Sequence, residues 1–143
     1  MKVLVTGADG MLGASVCREA LAQGYDVRAM ILESSKLTTL DGLSLELVHG
    51  NLLNYASLER AVEGCDVIIN VAASTQIWPR RSPLIHKINF DAVKSLVEIA
   101  KKFKISRFIQ IGTANSFGHG SKDSPGNEST RFMGEFYKMD YVD

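Results

Sequence analysis

Thr6-Gly7-Ala8-Asp9-Gly10-Met11-Leu12-Gly13 joins a β-branched run, Lys2–Thr6, to a stretch with helical spacing, Met11–Gln23, that stops at Gly24. A strand entering a helix through three glycines set three residues apart is a specific arrangement. The helix amino terminus carries unpaired N–H groups and the positive end of the helix dipole, so it attracts a phosphate, and a side chain at the approach point blocks that contact. Gly7 then permits a tight turn, Gly10 a close backbone approach, and Gly13 the packing of helix on strand. Glycines collect in loops for turns alone, so the flanking strand and helix are what make this spacing read as a dinucleotide-binding loop.

Outward from this loop the pattern alternates. Asp26–Leu32 reads as a second strand, with a short polar helix near Ser35–Leu40. Ser44–His49 alternates as a third strand, Ser57–Glu63 as a short helix, and Asp66–Ala72 as an almost wholly apolar fourth strand. Leu84–Phe103 has the longest helical periodicity, with Ile88, Val93, Leu96, Val97 and Ala100 on its inner side, and Arg107–Gly112 is a fifth strand. Residues 114–130 are rich in Gly, Ser, Asn and Asp and read as a surface loop, after which a last helix starts near Arg131. Apolar strands separated by helices imply a parallel sheet covered on both faces, an α/β doubly wound fold. In such a sheet ligands bind beyond the carboxyl ends of the strands.

Composition excludes several classes. With 143 residues the chain is one domain, and its 16 basic and 16 acidic residues cancel with no basic run, so nucleic acid and anionic membrane are not expected partners. The most apolar stretch, Val67–Ala73, is too short to span a bilayer, and Asp9, Arg18 and Glu19 interrupt any amino-terminal signal region. Cys17 and Cys65 lack paired spacing and read as buried thiols of a reducing, cytoplasmic setting. His49, His86 and His119 lack ligand spacing, so no metal site is expected.

TGADGMLG (6–13) resembles the TGxxGxxG of the extended short-chain dehydrogenases, the group that includes epimerases, dehydratases and dihydroflavonol-reductase-like enzymes. GYDVRAM (24–30), GNLLNYASLERAVEGCDVIINVAA (50–73) and INFDAVKSLVEIAKKFKISRFIQIGT (88–113) resemble that group's following segments in the same order. The resemblance implies a Rossmann-type α/β doubly wound parallel sheet of five strands in the order 3-2-1-4-5, and an oxidoreductase moving hydride between NAD or NADP and a carbonyl or secondary alcohol. Epimerase or dehydratase chemistry and a non-catalytic dinucleotide-binding module are the alternatives. It assigns the cofactor to Gly7, Ala8, Asp9, Gly10, Met11, Leu12, Gly13, Leu32, Glu33, Asn51, Leu52, Ala72 and Ala73. Asn51 replaces the family's adenine-binding Asp, and its amide oxygen can still accept that hydrogen bond. Asn70 stands where the family often has His, near the cofactor ribose.

The choice between NAD and NADP stays open at this level. The strand-end Asp of NAD-preferring relatives falls at Ile31 and the Arg of NADP-preferring ones at Leu32. Glu33, twenty residues past Gly13, favours a 2′-hydroxyl, whereas Arg28 and Lys36 favour a 2′-phosphate. For catalysis, IGTANSFG (111–118) resembles the segment that carries the family's substrate-holding hydroxyl, which places that role on Thr113, with Ser116 as an outlying alternative. Tyr141, 28 residues on, opens a YxxxK-like run whose lysine falls at position 145, and Tyr137 is its competitor. The resemblance thus expects 1–143 to be an incomplete cofactor-binding domain, inactive alone, that ends before further strands and a substrate domain. Trp78 lies where relatives build part of the substrate pocket and is read first as a packing residue fixing its loop. Arg80 and Arg81 read as solvated, with an anionic substrate as the alternative, and Asn89 as a support for active-site backbone. A small-molecule substrate is implied, and a homodimer through the long helix is possible.

Overall fold

The computed structural model describes residues 1–134, 138 and 141. Five strands form one parallel sheet, in the order β3-β2-β1-β4-β5: β1 (Lys2–Thr6), β2 (Asp26–Ile31), β3 (Glu46–His49), β4 (Val67–Asn70) and β5 (Arg107–Gln110). Registers pair Thr6 with Met30 and with Asn70, and Asn70 with Gln110, so the carboxyl ends of four strands finish side by side. The expected strand order is the observed one. Reversal of order between β1 and β4 opens the crevice that doubly wound sheets use for ligands.

Helices cover both faces. On one, α1 (Met11–Ala22) packs Ala14, Cys17 and Ala20 against Val3, Val5, Val27 and Ala29. On the other, α2 (Tyr55–Val62) and α4 (Ala92–Lys102) bury Leu58, Val62, Leu96 and Ile99 against Leu4 and Ile68. Burial of each such aliphatic side chain contributes about 1.5–3 kcal/mol. The inner face of α4 is Ala92, Leu96, Ile99 and Ala100, rotated from the expected one, because Val93 and Val97 are only half-buried.

Several boundaries move for identifiable reasons. Residues 35–37 are irregular and 38–40 a turn, not a helix: the Ser35 hydroxyl accepts from Leu32 N–H at 3.1 Å, the local bond by which serine competes with helix. Asn54 caps α2 by accepting from Ser57 N–H at 3.0 Å, so that helix begins at Tyr55. The long helix is three pieces, α3 (Pro83–His86), a π-helical segment (Lys87–Asp91) and α4. Both β4 and β5 are shorter than their apolar runs, ending at Asn70 and Gln110. Residues 131–133 are not helical, and most of the expected last helix, with Tyr137, lies outside the described residues. No helix among the described residues is long and apolar enough to cross a membrane.

Candidate functional site

The carboxyl ends of β1, β2, β4 and β5 enclose a cleft of about 1380 Å³. Of the residues the sequence assigned to a cofactor, Gly7, Asp9, Gly10, Met11, Leu12, Gly13, Leu32, Asn51, Leu52, Ala72 and Ala73 all line it. Thr113 and Tyr141 line it too, so both assigned catalytic side chains share one cleft with the glycine loop. Ala8 and Glu33 do not. Ala8 is fully buried behind the loop, and Glu33 is exposed outside the lining.

The glycine loop is shaped by backbone contact. Gly7 has φ +62°, and a Cβ there would stand 2.8 Å from the Ala72 Cα, so only glycine lets β1 and the chain after β4 meet. A Cβ at Gly13 would overlap the Gly7 carbonyl oxygen, which fixes how closely α1 approaches β1. Gly10 is the N-cap of α1 and provides no side-chain cap, leaving the first-turn N–H groups without a side-chain oxygen. A bare, uncapped helix amino terminus facing a cleft fits a pyrophosphate.

Beyond β2 the chain is pinned twice. Leu32 and Ser35 exchange bonds, with Ser35 N–H donating to the Leu32 carbonyl at 3.0 Å. Seven residues after Leu32, the Thr39 hydroxyl donates to the Asp9 carbonyl at 2.8 Å while Arg18 donates to the Thr39 carbonyl at 2.5 Å. Arg28 is withdrawn from any cofactor role. Its Nη1 donates to the Ala61 and Glu63 carbonyls at 2.9 and 2.6 Å, and its Nε lies 2.9 Å from Glu46. The Arg28 guanidinium beside it, and then the Lys2 ammonium that donates to it at 3.0 Å, hold the Glu46 carboxyl below its ordinary range. Asn51 closes a turn, its Oδ1 accepting from Leu53 N–H at 2.8 Å, which leaves that oxygen capacity for one further bond.

The opposite wall is assembled from side chains. Asn70 is 1% exposed and lies inside the sheet, not on the cleft surface. It accepts from the Thr6 hydroxyl and donates to Gln110 Oε1 at 2.8 Å, tying β1, β4 and β5 together beneath the cleft. Asn89, in the π-helical segment, grips the Ser74 backbone in both directions: Oδ1 accepts from Ser74 N–H at 2.8 Å and Nδ2 donates to the Ser74 carbonyl at 2.9 Å. A π-helical turn accommodates such an inward reach, and these turns occur often at functional sites. Thr113 caps a short 3₁₀ turn, its hydroxyl accepting from Asn115 N–H at 3.3 Å. Trp78 packs on nothing that buries it; it is 76% exposed, contrary to its reading as a packing residue.

The sequence reading missed Met30, Gln110, Ile88 and Phe90 as cleft residues, and left His86 and Arg81 without a place there. Strand-end positions such as Met30 and Gln110 were legible from register alone; the helix positions depend on the π turn, which no spacing announces. Cys17 and Cys65 are buried free thiols, and burial pushes Cys17 up to about 11 and raises Cys65, so both stay protonated. Among the described residues no group of three or more His, Cys, Asp or Glu could hold a metal ion.

Comparison with known proteins agrees with this architecture. A 2-alkyl-3-oxoalkanoate reductase of Shewanella oneidensis is 28% identical over 92% of this chain and 33% of its own length. A dihydroflavonol 4-reductase-like protein of Synechocystis is 31% identical over 80% of this chain and, again, 33% of its own. The chain therefore spans about a third of the length of these curated relatives. Among solved structures, that of gox2253 superposes with a TM-score of 0.85 at 25% identity, covering 98% of this chain and 44% of that one. Residues 3–138 match the family described as "NAD dependent epimerase/dehydratase family", and the chain belongs to it.

Proposed function

We propose that this chain is the cofactor-binding part of a reductase that converts a small-molecule carbonyl to a secondary alcohol with a nicotinamide dinucleotide. The observation that carries the proposal is that Thr113 and Tyr141 line the same cleft as the uncapped helix terminus at Gly10. The glycine loop and the first turn of α1 would hold the pyrophosphate, with Leu32, Asn51 and Leu52 along the adenosine and Ala72 and Ala73 behind the ring end. When bound, the nicotinamide supplies the hydride. Thr113 would hold the substrate oxygen by its hydroxyl, and Tyr141 would donate the proton that this oxygen needs as it becomes an alcohol. The relatives support reduction over epimerisation, since two of the most similar are named as reductases.

Calorimetric titration with NADH tests the first half. Saturable binding is expected, and Gly10→Leu should abolish it while the thermal transition stays within a few degrees, because the added side chain points at the approach to the helix terminus. Binding unchanged in Gly10→Leu contradicts the site. For the second half, Tyr141→Phe made in the full-length reductase should lower carbonyl reduction by at least about a hundredfold and leave NADH affinity unchanged. Equal turnover in the variant removes Tyr141 from the chemistry.

A further inference from the structure

We infer that the cleft does not discriminate between a ribose 2′-hydroxyl and a 2′-phosphate, and that Leu32 is the position that sets this neutrality. The inference rests on the cofactor site proposed above. Discrimination at the end of the second strand works through charge. A carboxylate accepts from the 2′-hydroxyl and repels a phosphate, while an arginine does the reverse, and close like charges change affinity by orders of magnitude.

Neither device stands at this strand end. Met30, Ile31 and Leu32 all line the cleft there; the first two are buried, and Leu32, 49% exposed, is the one open to solvent. The charged candidates of this stretch do not line the cleft. Arg28 is spent on the Ala61 and Glu63 carbonyls and on Glu46. Glu33 and Lys36 are exposed and do not line the cleft, and the chain that carries them is pinned by Leu32 with Ser35 and by Thr39 with Asp9. Among the described lining residues, Asp9 belongs to the glycine loop, and Arg81 and His86 to the segments after β4. Apolar side chains supply the grip in their place. Met11, Leu12, Leu32 and Leu53 line the cleft while remaining 87%, 48%, 49% and 45% exposed, a rim that an adenosine would cover. A 2′-phosphate at an apolar, open rim keeps its water, so it gains no partner and meets no opposing charge.

The test is a set of dissociation constants for NADH and NADPH, measured by calorimetry on the wild-type chain and on Leu32→Asp, Leu32→Arg and Asp9→Asn. The wild type should bind the two within about tenfold of each other. Leu32→Asp should weaken NADPH by more than about tenfold relative to NADH, and Leu32→Arg should shift the ratio as far the other way. Asp9→Asn should leave the ratio within the wild-type range. Wild-type discrimination beyond tenfold in either direction overturns the inference, as does a ratio that neither Leu32 variant moves or that Asp9→Asn moves beyond tenfold. Binding of neither dinucleotide overturns the cofactor reading itself, a result distinct from binding that discriminates.

Discussion

The two walls of the cleft are made of different materials. On the α1 side the surface is backbone: Gly7 sits against Ala72, Gly13 against the Gly7 carbonyl, and Gly10 leaves the helix terminus bare. On the β4–β5 side the surface is held by side chains reaching across the fold, as Asn89 does to Ser74 and Asn70 to Thr6 and Gln110. Contact between backbones tolerates no added atom, whereas a side-chain strut can be removed and leave the chain path in place. The first wall should therefore fail sharply when altered and the second by degrees.

The largest effect is expected where backbones meet. Gly13→Ala should cost about 3 kcal/mol, because its methyl overlaps the Gly7 carbonyl and α1 must slide from β1. Thermal unfolding should fall by roughly 10 °C, with NADH binding lost. A Gly13→Ala protein with an unchanged transition would break the comparison. Next is Asn89→Ala, which removes both bonds to Ser74 and should cost about 2 kcal/mol. Hydrogen exchange at Ser74 should accelerate while that at Gly13 does not, the local loosening expected of a strutted wall.

Thr39→Val sharpens the comparison further, since Thr39 is a side chain that supports the backbone wall by donating to Asp9. A loss of about 1 kcal/mol is expected, read by chemical denaturation, with a weaker affinity for NADH. The smallest effect belongs to Glu46→Gln, outside both walls. Glu46 is paired with Arg28 and Lys2 at the surface, so the change should cost under about 1 kcal/mol. Its carboxyl is held below its ordinary value in the folded chain, so the stabilisation is complete above the unfolded value of about 4.3 and disappears as pH falls through the folded one. The gap between wild type and Glu46→Gln should close as pH falls through the lowered folded value; a gap that widens there would assign the contact another origin.

This difference in material also explains what could be read from the sequence. The doubly wound parallel sheet followed from the alternation of apolar runs and helices and its strand order from the family resemblance, and the glycine wall was legible because only glycine satisfies a backbone contact, so its spacing is the structure. The struts left weaker traces. The resemblance marked Asn89 as a support for backbone, but nothing local says that it grips Ser74, 15 positions away, or that a π turn between α3 and α4 lets it reach. Arg28 looked like a phosphate ligand because its charge is visible in sequence, while the carbonyls of Ala61 and Glu63 that occupy it are not. Ser35 was read as the start of a helix, yet its hydroxyl accepts from Leu32 N–H and ends that possibility. Trp78 shows the opposite error, since a large aromatic is expected to pack and here lies in solvent.

The central claim is that the glycine wall binds a dinucleotide. Backbone amide chemical shifts followed during titration with NADH test it most directly. Saturable shifts should appear at Gly7, Gly10, Gly13 and Leu32, with smaller ones at Ala72 and Thr113. Shifts that do not saturate, or that fall on β3 and the outer face of α2 while the glycines stay unmoved, would contradict it.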